Sequence, residues 1–128
     1  MVSLKKILYI EDDPSIAEVT TMTFEMIGGF EVKHLFSGQE GLDEFDKYKP
    51  QLILIDMIMP DMDGLETIKK LRQFPTGQDV PVIFITAKAQ MHEQQDYIES
   101  GAVGVIIKPF DPVQLCVRVQ QLWEESNG

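Results

Sequence analysis

The sequence predicts an α/β fold: a doubly wound, five-stranded parallel sheet in three layers, α/β/α. Two observations carry that prediction. Short, uncharged, largely β-branched runs recur at 7–10, 52–55, 82–85 and 103–107; their length and unbroken apolarity suit strands covered on both faces. Amphipathic helical patterns lie between them, and strand alternating with helix calls for right-handed crossovers with helices on both sides of the sheet.

Each element has its own local reason. After the first strand, Asp13 is a candidate N-cap with Pro14 at N1, and Gly28-Gly29 supplies the stop. Ile16, Val19, Thr23 and Met26-Ile27 recur at three- and four-residue steps and predict the buried face of that first helix. The run 30–36 alternates only partly, which predicts an edge strand with His34 as an exposed strand residue. Ser37 and Glu40 form a capping box for a second helix that buries Leu42 and Phe45. A third helix starts at about Gly64 with Leu65, Ile68 and Leu71 inward. A fourth, roughly 90–100, is marked only by Met91 and Ile98. The fifth repeats the Asp-Pro opening at Asp111-Pro112 and carries Val113, Cys116, Val117, Leu122 and Trp123 as a broad apolar face.

Length and charge exclude several classes of function. A chain of 128 residues reads as one domain, 1–128, with no linker, repeat or low-complexity tract. No apolar run approaches the ~18–20 residues of a membrane span, and the start lacks a signal-peptide pattern. A single cysteine, Cys116, leaves no internal disulfide or Cys-rich zinc site and fits a reducing cytoplasm; its apolar neighbours predict a core residue. Eleven basic against 21 acidic residues give a net charge of −10. With no basic cluster longer than Lys5-Lys6 or Lys69-Lys70, direct nucleic-acid binding is disfavoured, and cations or basic partners are the better expectation.

The chemistry gathers where the strands stop. The first apolar run gives way to Glu11-Asp12-Asp13, the second to Asp56, the third to Thr86 and the fourth to Lys108. In an open parallel sheet those ends share one edge, the edge at which such folds bind ligands. Glu11, Asp12 and Asp56 against Lys108 leave a local excess of negative charge. An all-oxygen donor set favours Mg²⁺, with Mn²⁺ or Ca²⁺ also fitting. A metal that keeps open positions binds phosphoryl groups, which Lys108 and the Thr86 hydroxyl could hold. Asp56 is then the candidate nucleophile for aspartyl-phosphate chemistry.

Together, Glu11-Asp12-Asp13, the segment from Asp56 through Pro60 to Gly64, the pair Thr86-Ala87, and Lys108-Pro109-Phe110 resemble the receiver (CheY-like) domain of two-component response regulators. The resemblance covers essentially the whole chain and implies flavodoxin-like strand order 2-1-3-4-5. It implies that Asp56 accepts a phosphoryl group from a sensor histidine kinase or phosphotransfer His domain. Mg²⁺ would then be held by Asp12, Asp56 and the backbone carbonyl of Ile58, with Glu11 acting through water. It further implies that Thr86 and Lys108 contact the phosphoryl group, that Ala87 keeps the approach open, and that Pro109 follows Lys108 through a cis peptide. Gly64 would permit the turn into the third helix. A downstream protein would read the state at the face of the fourth helix, fifth strand and fifth helix, in or beside which lie Tyr97, Val105 and Val113, and a phosphorylation-dependent homodimer is a further partner the resemblance allows. Val105 stands where the family often carries Tyr or Phe, and Ile58 and Lys88 occupy the pocket rim.

Rival readings fare worse. An EF-hand loop through Asp61-Met62-Asp63-Gly64 would place Met59 and Lys70 at ligand positions. A haloacid-dehalogenase phosphatase wants an acid two residues after its nucleophile and meets Ile58. There is no P-loop, and His92, Trp123 and the methionines read as surface or packing residues. The alternative from another class is a receiver-fold interaction module that works without phosphorylation. The presence of Asp56, Thr86 and Lys108 together weighs against it.

Overall fold

The computed structural model describes residues 3–87 and 91–127, and at 91–94 and 127 the backbone alone. Lys88 and the expected helix start at Gln90 lie outside the described residues, as do the side chains of Met91 and His92. Five strands, β1 (Lys6–Ile10), β2 (Glu31–Leu35), β3 (Leu52–Asp56), β4 (Val82–Thr86) and β5 (Ala102–Ile107), form one sheet in the order β2-β1-β3-β4-β5. Every neighbouring pair is parallel. The crossovers contain α1 (Pro14–Met26), α2 (Gly38–Tyr48), α3 (Gly64–Leu71) and α4 (Met91–Glu99); α5 (Pro112–Asn127) follows the last strand.

The period of two along each central strand divides the core. Ile7, Tyr9, Leu52, Leu54, Ile83 and Ile85 pack with α1 and α5 on one side. Leu8, Ile10, Ile53, Ile55, Val82 and Phe84 pack with α2, α3 and α4 on the other. β3 and β4 are buried at every position, which is why their sequences carry no alternation. β2, at the edge, alternates as expected. No helix among the described residues is long and apolar enough to cross a membrane.

Helix starts follow local chemistry, whereas helix faces depart from the periodicity. Asp13 accepts from the N–H groups of Ser15 and Ile16, and Ser37 accepts from the Glu40 N–H. The Glu40 carboxylate reaches back to the Phe36 N–H (3.3 Å), one residue before the cap. α1, however, buries Ala17, Thr20 and Phe24, while Val19, Met26 and Ile27 are 53%, 78% and 61% exposed. Apolar side chains occupy several sides of this helix, so periodicity alone admits more than one inward face. The sheet and α5 select the one whose Phe24 stacks edge-on against Phe30, ring centroids 5.9 Å apart.

The same correction applies elsewhere. On α5, Leu115, Cys116, Val119, Leu122 and Trp123 are buried, but Val113 and Val117 face solvent. On α4, Tyr97 turns into the core against Phe84 (5.1 Å), which leaves its neighbour Ile98 outside. Met59 and Met62 pack inside, whereas Met22 and Met26 are exposed.

The role expected of Gly64 also changes. The left-handed residue of the β3–α3 loop is Asp61, at φ 70°, while Gly64 already begins α3. Gly64 is required by close approach: a Cβ there would lie 2.6 Å from the Asp56 carbonyl oxygen.

Candidate functional site

A parallel sheet brings its C-terminal strand ends to one edge, and backbone bonds carry the ladder slightly beyond each strand. Glu11 N–H donates to Leu35 O (3.0 Å), Met57 N–H to Ile85 O (2.7 Å) and Lys108 N–H to Thr86 O (2.8 Å). Glu11, Asp56, Thr86 and Lys108 are therefore anchored on adjacent strands before their side chains contribute anything.

The side chains converge. Lys108 Nζ donates to Asp56 Oδ2 at 2.7 Å and lies 3.2 Å from Glu11 Oε1. Asp56 Oδ1 accepts from the Ile58 N–H at 3.2 Å. Glu11, Asp12 and Asp56 each offer a carboxylate oxygen within 4.8 Å of the others. Glu11 and Asp56 are buried and Asp12 is half-buried. Asp13 serves the helix instead: its carboxylate caps α1 and its N–H donates to Glu11 Oε2 (3.3 Å). Thr86 is buried at the end of β4, Ala87 is exposed next to it, and the Lys108–Pro109 peptide is cis. Ile58, two residues after Asp56, is 69% exposed.

Burial and crowding determine the electrostatics. Burial pushes the Glu11 carboxyl above its ordinary range, and the adjoining Asp56 carboxylate pushes it further; the Asp13 N–H and Lys108 pull the other way. Burial lowers Lys108, but its bond to Asp56 and the nearby Glu11 charge outweigh that and leave it raised. Even with Glu11 protonated, the Asp12 and Asp56 carboxylates against one ammonium leave the cluster negative. Glu11 Oε1 sits at ion-pair distance from Lys108 without hydrogen-bond alignment, so a buried carboxylate oxygen is left without a directional partner. An all-oxygen cluster with such an oxygen fits a hard divalent cation.

Sequence reasoning missed one residue. His34 is half-buried, and its Nε2 bonds to the Glu11 backbone oxygen at 2.8 Å. Its ring lies against Tyr9 and Phe36, with centroids 5.6 and 4.4 Å away. The available signal was its place on an edge strand beside the acidic run, which is weak without the strand register.

Comparison with known proteins bears on the family and the fold. A sequence model described as the response regulator receiver domain matches residues 7–120. The chain is similar to the DNA-binding dual master transcriptional regulator RpaA of Synechocystis sp., 32% identical over 97% of this chain and 51% of the relative. It therefore spans about half the length of that regulator. An uncharacterized 14.6 kDa protein of Leptolyngbya boryana is 34% identical over 90% of this chain and 87% of its own length. Among solved structures, the Vibrio cholerae chemotaxis protein CheY4 superposes with a TM-score of 0.87 at 28% identity, covering 94% of this chain and 99% of that one.

Proposed function

The chain belongs to the response regulator receiver family, and on that premise we propose that Asp56 is a phosphoacceptor whose phosphorylation switches a docking surface. The observation that carries this reading is the convergence of Lys108, 2.7 Å from Asp56, with three carboxylates at one sheet edge. That arrangement supplies a nucleophile, a cation for the transferred group and an oxygen cage for a metal.

In the proposed reaction an Asp56 carboxylate oxygen attacks the phosphorus of a phosphohistidine on a sensor kinase or phosphotransfer domain. The new P–O bond forms as the P–N bond breaks, and the leaving imidazole is protonated from water. Lys108 holds Asp56 before transfer and pairs with a phosphoryl oxygen afterwards. The Thr86 hydroxyl donates to a second oxygen, Ala87 leaves the approach open, and Pro109 sets the course of the chain after Lys108. Asp12, Asp56 and the Ile58 carbonyl would hold Mg²⁺ directly and Glu11 through water, with Mn²⁺ or Ca²⁺ as substitutes. When bound, the cation offsets the negative charge shared by the incoming phosphoryl group and the carboxylates. The protein turns over no separate substrate in this scheme; it assists its own phosphorylation and dephosphorylation as a cytoplasmic signalling component.

The donor's approach is supported by a groove of about 590 Å³ beside Lys108, walled by Ile16, Val19, Pro109 and Phe110. Output is proposed at the face of α4, β5 and α5, where Ile107, Val113 and Val117 are exposed. Tyr97 and the half-buried Val105 pack into the core behind that face, so they would transmit a change more readily than touch a partner.

Intact-mass analysis after incubation with acetyl phosphate tests the reading. A gain of about 80 Da, one phosphoryl group, is expected with Mg²⁺ and is expected to be absent without it or in Asp56→Asn. An unmodified wild-type protein that nonetheless binds Mg²⁺ would overturn it in favour of the phosphorylation-independent interaction module.

A further inference from the structure

The acidic corner is held from outside by a side chain with no part in the phosphoryl chemistry. In the β1–β2 ladder, Glu31 N–H donates to Lys5 O and Glu11 N–H donates to Leu35 O. Continued regularly, that pattern would make the Ser37 N–H the next donor, to Glu11 O. But β2 ends at Leu35, and Ser37 leaves the sheet to cap α2. The Glu11 carbonyl is therefore left beside a buried carboxylate just where the ladder runs out. Such a carbonyl needs a donor, and His34 Nε2 provides one at 2.8 Å.

We propose that His34 is a positioning residue: by fixing the Glu11 peptide to β2, it sets the Glu11 and Asp12 carboxylates for cation binding. The inference rests on the receiver reading above. A carbonyl oxygen only accepts, so Nε2 must carry a proton. The ring packs against Tyr9, tilted 47°, and against the edge-on Phe36, and both contacts restrict its angle. Glu11 is thus held through its N–H by Leu35 and through its carbonyl by His34, and Asp12 follows immediately. Partners of ligand-bearing groups that fix orientation commonly carry a tenfold or larger share of metal affinity.

Two substitutions separate positioning from simple support of the fold. His34→Phe keeps a ring in contact with Tyr9 and Phe36 but removes the donor, whereas His34→Gln keeps a donor of similar reach. Mg²⁺ dissociation constants of the unphosphorylated full chain are measured by calorimetry, with thermal midpoints in metal-free buffer alongside. We expect about tenfold weaker Mg²⁺ binding in His34→Phe and recovery of most of that loss in His34→Gln. A role confined to folding would lower the thermal midpoint while leaving the Mg²⁺ constant unchanged, and that result overturns the proposal.

A measurement on the wild-type protein needs no variant to fold. Imidazole nitrogen spectra should show His34 protonated at Nε2, with a resonance that moves as Mg²⁺ is added. A neutral ring protonated only at Nδ1 would refute the proposal. A wild-type protein that binds no Mg²⁺ would instead remove the receiver reading, and this inference with it.

Discussion

Replacing Gly64 with alanine presses directly on the backbone that carries Asp56. An added Cβ would lie 2.6 Å from the Asp56 carbonyl oxygen, 3.0 Å from Met57 Cα and 3.2 Å from the Asp56 carbonyl carbon. The first contact is about 0.8 Å short of the 3.4 Å at which ordinary contact begins. All three neighbours are main-chain atoms, so no rotamer change relieves the clash; either α3 retreats or the Asp56–Met57 peptide moves. Overpacking of this kind costs about 1–3 kcal/mol. Alanine returns up to ~1 kcal/mol through helix propensity and a less flexible unfolded chain. For a mid-range overpacking cost of about 2 kcal/mol the net loss is about 1–2 kcal/mol, a fall in thermal midpoint of roughly 3–8 °C.

The same displacement, if taken up by Asp56, would stretch its 2.7 Å bond to Lys108 toward the limit of a hydrogen bond. Melting followed by circular dichroism, paired with the rate of modification by acetyl phosphate, should show both effects in Gly64→Ala. Gly104→Ala is the control: the three atoms nearest its Cβ all belong to the Leu122 side chain, the closest at 2.5 Å, so it should lose stability with little change in phosphorylation. A Gly64→Ala protein with wild-type midpoint and rate would refute the reasoning.

Other substitutions test separate links. Without metal, the raised Glu11 carboxyl holds a proton in the folded protein that the unfolded chain has lost. Its contribution is complete below the ordinary value of 4.5 and is lost as pH rises through about 8. Thermal midpoints in a chelator should therefore fall across that window, and Glu11→Gln should flatten the slope. Ile58→Asn puts a hydrogen-bonding side chain at an exposed position two residues after Asp56; one good bond to attacking water is worth ~1.4 kcal/mol, so the phosphoryl half-life should shorten on the order of tenfold. A half-life no shorter than wild type would sink that account. Phe24→Ala, at a fully buried ring, should cost about 3–5 kcal/mol in denaturant unfolding, while Val19→Ala at a solvent-facing position should stay within ~0.5 kcal/mol. Similar losses for the two would show that the face of α1 is misassigned.

Much of the fold was legible because its signals are local. Residues 52–55 and 82–85 have no polar side chain to turn outward, so each reads as a strand covered on both faces, and β3 and β4 are buried throughout. Asp13 and Ser37 sit one residue before helical patterns, and capping chemistry acts over two or three residues. Helix faces were harder. α1 offers apolar side chains at 16, 17, 19, 22, 24, 26 and 27, and a 3.6-residue period fits more than one subset of them.

The sequence by itself determined the strand–helix alternation and the residues that end each strand, because burial on two faces and N-capping leave local chemical marks. Only the tertiary structure decided which helix faces turn inward, since that depends on the neighbouring sheet and helices. It also revealed why Gly64 lacks a side chain, through an approach to Asp56 eight positions away. His34 shows the same limit: its bond to Glu11 spans 23 positions and arises where β2 leaves the sheet, so nothing in the residues around it marks the partner. Electrostatics follows suit, because the charges of Glu11, Asp56 and Lys108 acquire their strength from shared burial, which exists only once the strands are side by side.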